Sequence, residues 1–252
     1  MTPAFRSFFC WVILLLTGSN VALAQSSSDK LLSEKEIWIT DQVIRGLPDT
    51  LTLLQPLYDN LYQTRKVLPI RYVAKPVVKS EWLKSLSKGT CLCSWQPIKE
   101  DTLSSINILD RPGVFQLIKR DSDDYVGYLE ELLTVPFVMP PRLLHSGHQT
   151  DLRLGVDCAE LAIYGKRRQG YDIPYCGPQK IVNYLTKTDR IRRGTVINFG
   201  FQISVVYEDR GLPGQLDDSD LLIHAYKDKA EIISFGESGL KGYPYKLYEW
   251  KE

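Results

Sequence analysis

The order of predicted elements in the second half of the chain restricts the possible folds more than any other feature of the sequence. Apolar spacing predicts helices first, over residues 128–133, 157–170 and 179–187. Strand-like segments follow, over residues 195–199, 202–207, 221–226 and 231–235. Helices followed by a run of neighbouring strands predict an α+β domain with an antiparallel sheet, which we assign to residues 128–252.

The first half of the chain has a different pattern. Apolar residues recur at helical spacing from residue 31 to about residue 66, with Pro48 and Pro56 interrupting them, which predicts two or three short helices. After residue 67, short β-rich segments over 70–73, 105–109 and 114–118 alternate with turn residues. We therefore expect residues 25–127 to form an N-terminal region that is first helical and then β-rich.

The first 24 residues have the three parts of a secretory signal peptide. Arg6 precedes an apolar run over residues 8–16, and Ala22 and Ala24 are small residues at the positions that a signal peptidase reads. The run is shorter than the ~20 apolar residues that a membrane-spanning helix needs. We expect cleavage near Ala24 and a secreted or periplasmic mature protein, with an uncleaved membrane anchor as the alternative.

Charge and composition exclude several classes of partner. Removing the predicted signal takes away Arg6 and no acidic residue, so 31 basic residues become 30 and equal the 30 acidic ones. A chain without net charge or a basic tail gives no support for nucleic-acid binding. No later segment is apolar enough to predict a transmembrane helix. The sequence also has no coenzyme-binding fingerprint, so we expect no cofactor.

Four cysteines follow the predicted cleavage site: Cys91, Cys93, Cys158 and Cys176. An even number in an oxidising compartment is compatible with disulfides. A bridge between Cys91 and Cys93 would close a strained loop across one residue. Metal binding by that pair lacks a second pair of ligands at suitable spacing, so we expect no metal. The sequence leaves the redox state of these cysteines open.

The segment 155–161 carries most of the chemical information. Asp157 is a good N-cap, and Glu160 three residues later completes a capping-box pattern, which places Cys158 at the first helical position. A thiol there lies beside unpaired backbone N–H groups and the positive end of the helix dipole, which favour the thiolate. On these residues alone, a buried structural cysteine is the more common alternative, since free cysteine usually behaves as a small hydrophobic residue.

This segment, Asp157-Cys158-Ala159-Glu160-Leu161, is similar to the Asp-Cys-Ser-Gly-Leu signature of the NlpC family of papain-like bacterial cell-wall cysteine peptidases. Further segments resemble that family in the same order, so that the resemblance covers roughly residues 128–240. They are 134–138 (family Gly-Thr-Pro-Tyr-Val), 193–199 (Pro-Gly-Asp-Leu-Val-x-Phe), 202–207 (His-Val-Gly-Ile-Tyr) and 223–225 (Ile-His-Ala).

The resemblance implies a papain-like NlpC-type domain with Cys158 as nucleophile and His224 as the residue that orients the base. The base position itself holds Gln202. This departs from the family pattern, because a carboxamide cannot take up the thiol proton. Two replacements are open: His224 acts as the base while Gln202 steers its ring, or His145 or His148 folds over the site from the preceding loop. A solvated loop is the alternative for His145 and His148.

Two functions of different classes follow. The first is an exported cysteine hydrolase that cuts amide bonds of cell-wall peptides, with peptidoglycan stem peptides or another peptide as substrate. The second is a catalytically inactive papain-like domain that binds the cell wall or a partner protein. Acyl transfer is a third option. The hydrolase predicts a Cys158 pKa below the free-thiol value of ~8.5 and a sulfur about 3–4 Å from a ring nitrogen of His224.

Overall fold

The computed structural model describes residues 35–39, 41–58, 70–83, 86–99 and 103–252. The predicted signal peptide, residues 1–24, lies outside these residues. Helices and several β-sheets are both present, in agreement with the predicted α+β class. Within the described ranges, no helix is both long enough and apolar enough to cross a membrane.

The first half of the described chain forms a six-stranded sheet with strand order β1-β6-β4-β2-β3-β5. The β1–β6 pair is parallel and the other pairs are antiparallel. Two short helices and a 3₁₀ turn connect the strands. The elements are β1 (Glu36–Trp38), α1 (Asp41–Gly46), β2 (Thr50–Pro56), β3 (Arg71–Val78), α2 (Lys79–Trp82), β4 (Gly89–Ser94), β5 (Leu103–Ser104), the 3₁₀ turn (Ile108–Asp110) and β6 (Val114–Lys119).

The helical prediction for residues 31–66 is confirmed at α1 and is wrong at β1 and β2, which are strands. Residues 59–66 lie outside the described residues. Leu51 and Leu54 of β2 enter two different apolar clusters, so this strand is buried on both faces. Apolar residues on both faces do not alternate with polar ones, and their spacing resembles that of a helix. The strands predicted over 70–73 and 114–118 correspond to β3 and β6. Residues 105–109 instead form a turn and the first two residues of the 3₁₀ turn.

The second half forms another six-stranded sheet, which is antiparallel throughout and has strand order β13-β12-β11-β10-β14-β9. The four predicted strands correspond to β10–β13, and the predicted helix over 179–187 is a shorter helix, a 3₁₀ turn and a strand. The elements are α3 (Tyr125–Glu130), β7 (Leu143–Leu144), β8 (Gly147–His148), α4 (Cys158–Arg168), α5 (Pro178–Ile181), a 3₁₀ turn (Val182–Tyr184), β9 (Leu185–Thr188), β10 (Val196–Asn198), β11 (Ile203–Glu208), β12 (Leu221–Tyr226), β13 (Lys229–Ser234) and β14 (Lys246–Trp250).

The second sheet separates two apolar cores. One face packs against α4 through Ile203 and Val205 of β11 and Ile223 and Ala225 of β12, and we call this face the helix side. The opposite face, which we call the far side, forms its own core. That core contains Ile197, Phe199, Val206, Leu222, Phe235 and Leu240. Successive residues of a strand point to opposite faces, so this division assigns every residue of β11 and β12 to one side.

Candidate functional site

The start of α4 has the cap that the sequence predicts. Asp157 has extended backbone angles, and its side chain accepts a hydrogen bond from the Glu160 backbone N–H at 2.8 Å. Cys158 is therefore the first residue of the helix. Glu160, the other residue of the capping-box pattern, directs its carboxylate to the Thr150 hydroxyl, from which it accepts a hydrogen bond. Asp157 is therefore the residue that caps the helix. This geometry brings backbone N–H groups close to the Cys158 sulfur, as expected for a helix start.

The environment of Cys158 opposes ionisation of its thiol. The side chain is 4% exposed and belongs to the apolar core on the helix side. Burial raises the pKa of Cys158 to about 12, and the charge of Asp157 adds to this, while the backbone N–H groups of Ile203 and Ala159 act in the opposite direction. The predicted low thiol pKa is therefore wrong for this structure. Loss of hydration outweighs the favourable position at the helix start.

His224 lies on the other face of the sheet from Cys158. It alternates along β12 with Ile223 and Ala225, which pack on the helix side, so its ring points to the far side. Its Nε2 is 4.0 Å from the Glu231 carboxylate, and its Nδ1 has no hydrogen-bond partner among the described residues. Burial, with the charge of Lys227, lowers the pKa of His224 to about 4. The His224 ring is therefore uncharged at neutral pH. It lies on the opposite face of the sheet from the Cys158 sulfur, so the two groups do not meet.

Gln202 stands just before β11 and is occupied by backbone contacts. Its amide N–H groups donate to the carbonyl oxygens of Ala225 at 3.0 Å and Ile203 at 3.2 Å. The β11–β12 register, continued from Val205 opposite Ile223, places Ser204 opposite His224. Gln202 lies on the same face as Ser204, two residues later, and therefore on the same face as His224. That face is the far side, which is turned away from Cys158.

The loop histidines do not replace the missing base. The ring of His148 stacks on Tyr175 at 4.5 Å between centroids, and its Nδ1 lies 3.7 Å from the Glu160 carboxylate. Burial also lowers the pKa of His148. Glu160 follows Cys158 by two residues, about 200° around the helix, so His148 meets α4 on a different face from the thiol. His145 is exposed at the turn of the β7–β8 hairpin.

The buried Glu160 and the half-buried Asp157 lie at the same helix start. Burial raises the pKa of Glu160 to about 8 and that of Asp157 to about 6, with mutual repulsion adding to the shift of Glu160. The sequence analysis identifies both as capping residues but misses the contacts of Glu160 with Thr150 and His148. These contacts join a hairpin to a helix, and no local pattern in the sequence signals them.

The cysteines and acidic side chains form no alternative centre. All four described cysteines are free thiols. Among the residues that the structure describes, no group of three or more histidine, cysteine, aspartate or glutamate side chains has the arrangement of a metal site. The chain has three histidines in total, and none of them hydrogen-bonds to Cys158. The candidate site is therefore a buried thiol without a base.

Comparisons with known proteins were negative: no family model, no curated protein and no solved structure matches the chain. The resemblance to the NlpC family therefore depends only on the sequence segments given above.

Proposed function

We propose that this chain is an exported, catalytically inactive domain of the papain-like NlpC type that binds cell-wall peptides without cleaving them. One observation carries the proposal: the thiol at the start of α4 is buried on the helix side, and His224, the histidine of the second sheet, points to the far side. A partner protein is the alternative ligand. The fold type and the ligand class extend the sequence resemblance, and the export extends the predicted signal peptide.

The chemistry of cysteine peptidases explains why this observation favours binding. Such an enzyme needs a thiolate and a base that exchanges a proton with it at hydrogen-bond distance. Here burial keeps the Cys158 thiol protonated and the His224 ring unprotonated. Gln202, at the position of the family's base, donates its amide N–H groups to backbone carbonyls. Each of the three residues has a structural role in the packed domain.

A hydrolase is the second candidate, and one observation favours it. The Ile203 and Ala159 backbone N–H groups interact with the Cys158 sulfur, which would stabilise a thiolate if the site opened. An enzyme of this kind would need a rearrangement that exposes the thiol and supplies a base. Release of fragments from purified peptidoglycan by the wild-type chain, absent with Cys158→Ala, would establish it and overturn the proposed inactivity.

Thiol labelling tests the proposal directly. The folded protein is treated with iodoacetamide across pH 6–10, and the modification of each cysteine is followed by mass spectrometry. We expect Cys158 to react at least ~10-fold more slowly than Cys176, because thiol reactivity follows exposure and thiolate content. Cys176 is only half-buried and provides the internal control. Labelling in urea should remove the difference.

A faster reaction of Cys158 than of Cys176, with an apparent pKa below the free-thiol value of ~8.5, would contradict the proposal. A binding assay provides the complementary measurement. The variant Cys158→Ala should sediment with purified peptidoglycan to the same extent as the wild-type chain. Loss of this binding in a folded variant would show that the thiol contributes to the function.

A further inference from the structure

A cavity of about 380 Å³ lies between the first sheet and the segment 134–136 that leads away from α3. Its volume is within the range of small-molecule and peptide side-chain pockets. Leu54, Tyr72 and Leu92 line it from the sheet, and Val135 and Pro136 line it from the opposite wall. The cavity is thus mainly apolar, and its ligand must offer apolar surface.

Arg153 also lines this cavity, and its guanidinium has one nitrogen without an acceptor. The side chain is 3% exposed. Its Nη1 donates to the Tyr164 hydroxyl at 3.0 Å, and its Nη2 donates to the Gln116 side-chain oxygen at 2.9 Å and to Glu36. Its Nε is buried and has no acceptor among the described residues. Buried donors are almost always paired, so we infer that a ligand supplies the acceptor for this N–H.

The charge of Arg153 is already compensated. Glu36 accepts a hydrogen bond from it and balances its charge. The fully buried Glu131 carboxylate lies 3.7 Å from Nη1 and is shared with Arg120 and Arg168. Both hydrogens of Nη2 have acceptors, so the edge formed by Nε and Nη2 cannot hold both oxygens of a carboxylate. The free N–H therefore suits one neutral oxygen, because an anion would be buried without a counter-charge of its own.

The remaining polar groups around the cavity do not change this preference. The Tyr58 hydroxyl donates to the Thr134 carbonyl at 2.8 Å, and the Thr90 hydroxyl donates to the Glu131 carbonyl at 2.7 Å. Burial raises the pKa of Tyr58 to about 12 and that of Cys91 to about 11, so the phenol and the thiol are uncharged at neutral pH. Apart from the Gln55 and Thr134 side chains, the cavity offers apolar walls and the Arg153 Nε–H as a strong donor.

We infer that this cavity binds a neutral ligand that presents an aliphatic group and one carbonyl oxygen, and that the carbonyl accepts the Arg153 Nε–H. An uncharged peptide segment with an aliphatic side chain has this chemistry. The inference deepens the proposed peptide-binding function by giving it a site. It depends on the cavity and Arg153 alone and would hold even if Cys158 proved to be a nucleophile.

A matched pair of probes tests the inference on the wild-type chain. N-acetyl-leucyl-alanine amide is neutral, and N-acetyl-leucyl-alanine carries a carboxylate on the same skeleton. We expect the amide to bind at least ~10-fold more tightly in an NMR titration, because only it avoids burying an unpaired charge. Cys91 lines the cavity, so the amide should also slow its alkylation, while Cys176 outside the cavity serves as control.

Two substitutions locate the binding. Leu54→Phe narrows the cavity and should weaken amide binding at least ~10-fold, whereas Leu247→Phe, half-buried on the far side of the second sheet, should leave it unchanged. Arg153→Lys keeps a positive charge near Glu36 and Glu131 but removes the Nε–H, and should abolish the preference for the amide. The folding of each variant is checked by circular dichroism.

The inference is overturned if the free acid binds as tightly as the amide, if saturating amide leaves Cys91 alkylation unchanged, or if folded Leu54→Phe binds like the wild type. The wild-type probe pair decides the matter if neither cavity variant folds. Cleavage of the dipeptide amide would contradict the proposed inactivity at Cys158 without bearing on the cavity.

Discussion

The two sides of the second sheet bury ionisable groups of opposite kinds. On the side of α4 lie the Cys158 thiol and the acids Asp157 and Glu160, and burial raises the pKa of all three. On the far side lies His224, and burial lowers its pKa. Burial therefore disfavours the charged form of each group. A thiolate–imidazolium pair needs the reverse: both groups charged, and both on one side.

This contrast shows how a sheet separates residues that are neighbours in a motif. Ile223-His224-Ala225 resembles the family segment letter for letter, yet only the residues flanking His224 face the helix. The opposite pKa shifts also give the two sides opposite effects on stability. Rising pH penalises burial of an acid, and falling pH penalises burial of a base. Stability measured against pH therefore tests each side separately.

The largest effect is expected from Glu160 on the helix side. Its pKa in the folded chain, about 8, lies above the ordinary value of 4.5, so the folded state holds the proton over that interval. Stability from this group is complete below pH 4.5 and is lost as pH rises through 8, by about 5 kcal/mol at most. We expect Glu160→Gln, which can still accept from Thr150, to remove this loss in urea unfolding experiments across pH 5–9.

The exposed Glu81 provides the control for that measurement, because Glu81→Gln should leave the pH dependence of the wild type unchanged. Parallel curves for Glu160→Gln and the wild type would show that the Glu160 carboxyl is hydrated in solution. In that case the start of α4 would be more open than the structure shows, and the burial of Cys158 would be in question as well.

His224 should give the next largest effect, with the opposite sign. Its folded-state pKa of about 4 lies below the ordinary value of 6.5, so the unfolded chain binds the extra proton between these values. Stability from this group is present above pH 6.5 and is lost as pH falls through 4, by about 3 kcal/mol. His224→Leu should be less sensitive to acid than the wild type by this amount.

The matched control is His145→Leu, since His145 is exposed in the β7–β8 hairpin. It should titrate like the wild type in urea unfolding experiments at pH 4–7. An NMR titration of the wild-type imidazoles gives the same answer without substitution. A His224 midpoint near the ordinary value would mean that the ring reaches water or a carboxylate, and the contrast between the two faces would fail on the far side.

The features that the sequence predicts well are local, and those it misses depend on contacts between distant segments. The Asp157 cap and the four strands β10–β13 follow from short-range patterns and are present. The side on which His224 lies was not predictable, because Leu222, Ile223 and Ala225 are all buried. A strand that is apolar on both faces does not reveal which face a helix covers. For the same reason, the apolar residues on both faces of β2 led to a wrong prediction of a helix there.

The cavity shows the same limit in a different way. Arg153 is positioned by Glu36, Gln116 and Tyr164, which come from three separate elements and have no sequence pattern in common. No local pattern in the sequence therefore distinguishes Arg153 from other residues. Its unpaired Nε–H is visible only once these elements are brought together, because the other donors of the guanidinium must first be assigned.

The smallest effect concerns Cys158 itself and distinguishes packing from function. A core thiol replaced by alanine loses apolar contacts and leaves a small void, so Cys158→Ala should lower the free energy of unfolding by about 1 kcal/mol. Cys176→Ala, at a half-buried position, should change it by less than about 0.5 kcal/mol. Active-site residues often behave in the opposite way, since sites built for chemistry are strained and gain stability when truncated. A clear increase in stability for Cys158→Ala in urea unfolding at pH 7 would therefore indicate that the thiol is catalytic. A modest loss of stability would identify it as part of the core on the helix side.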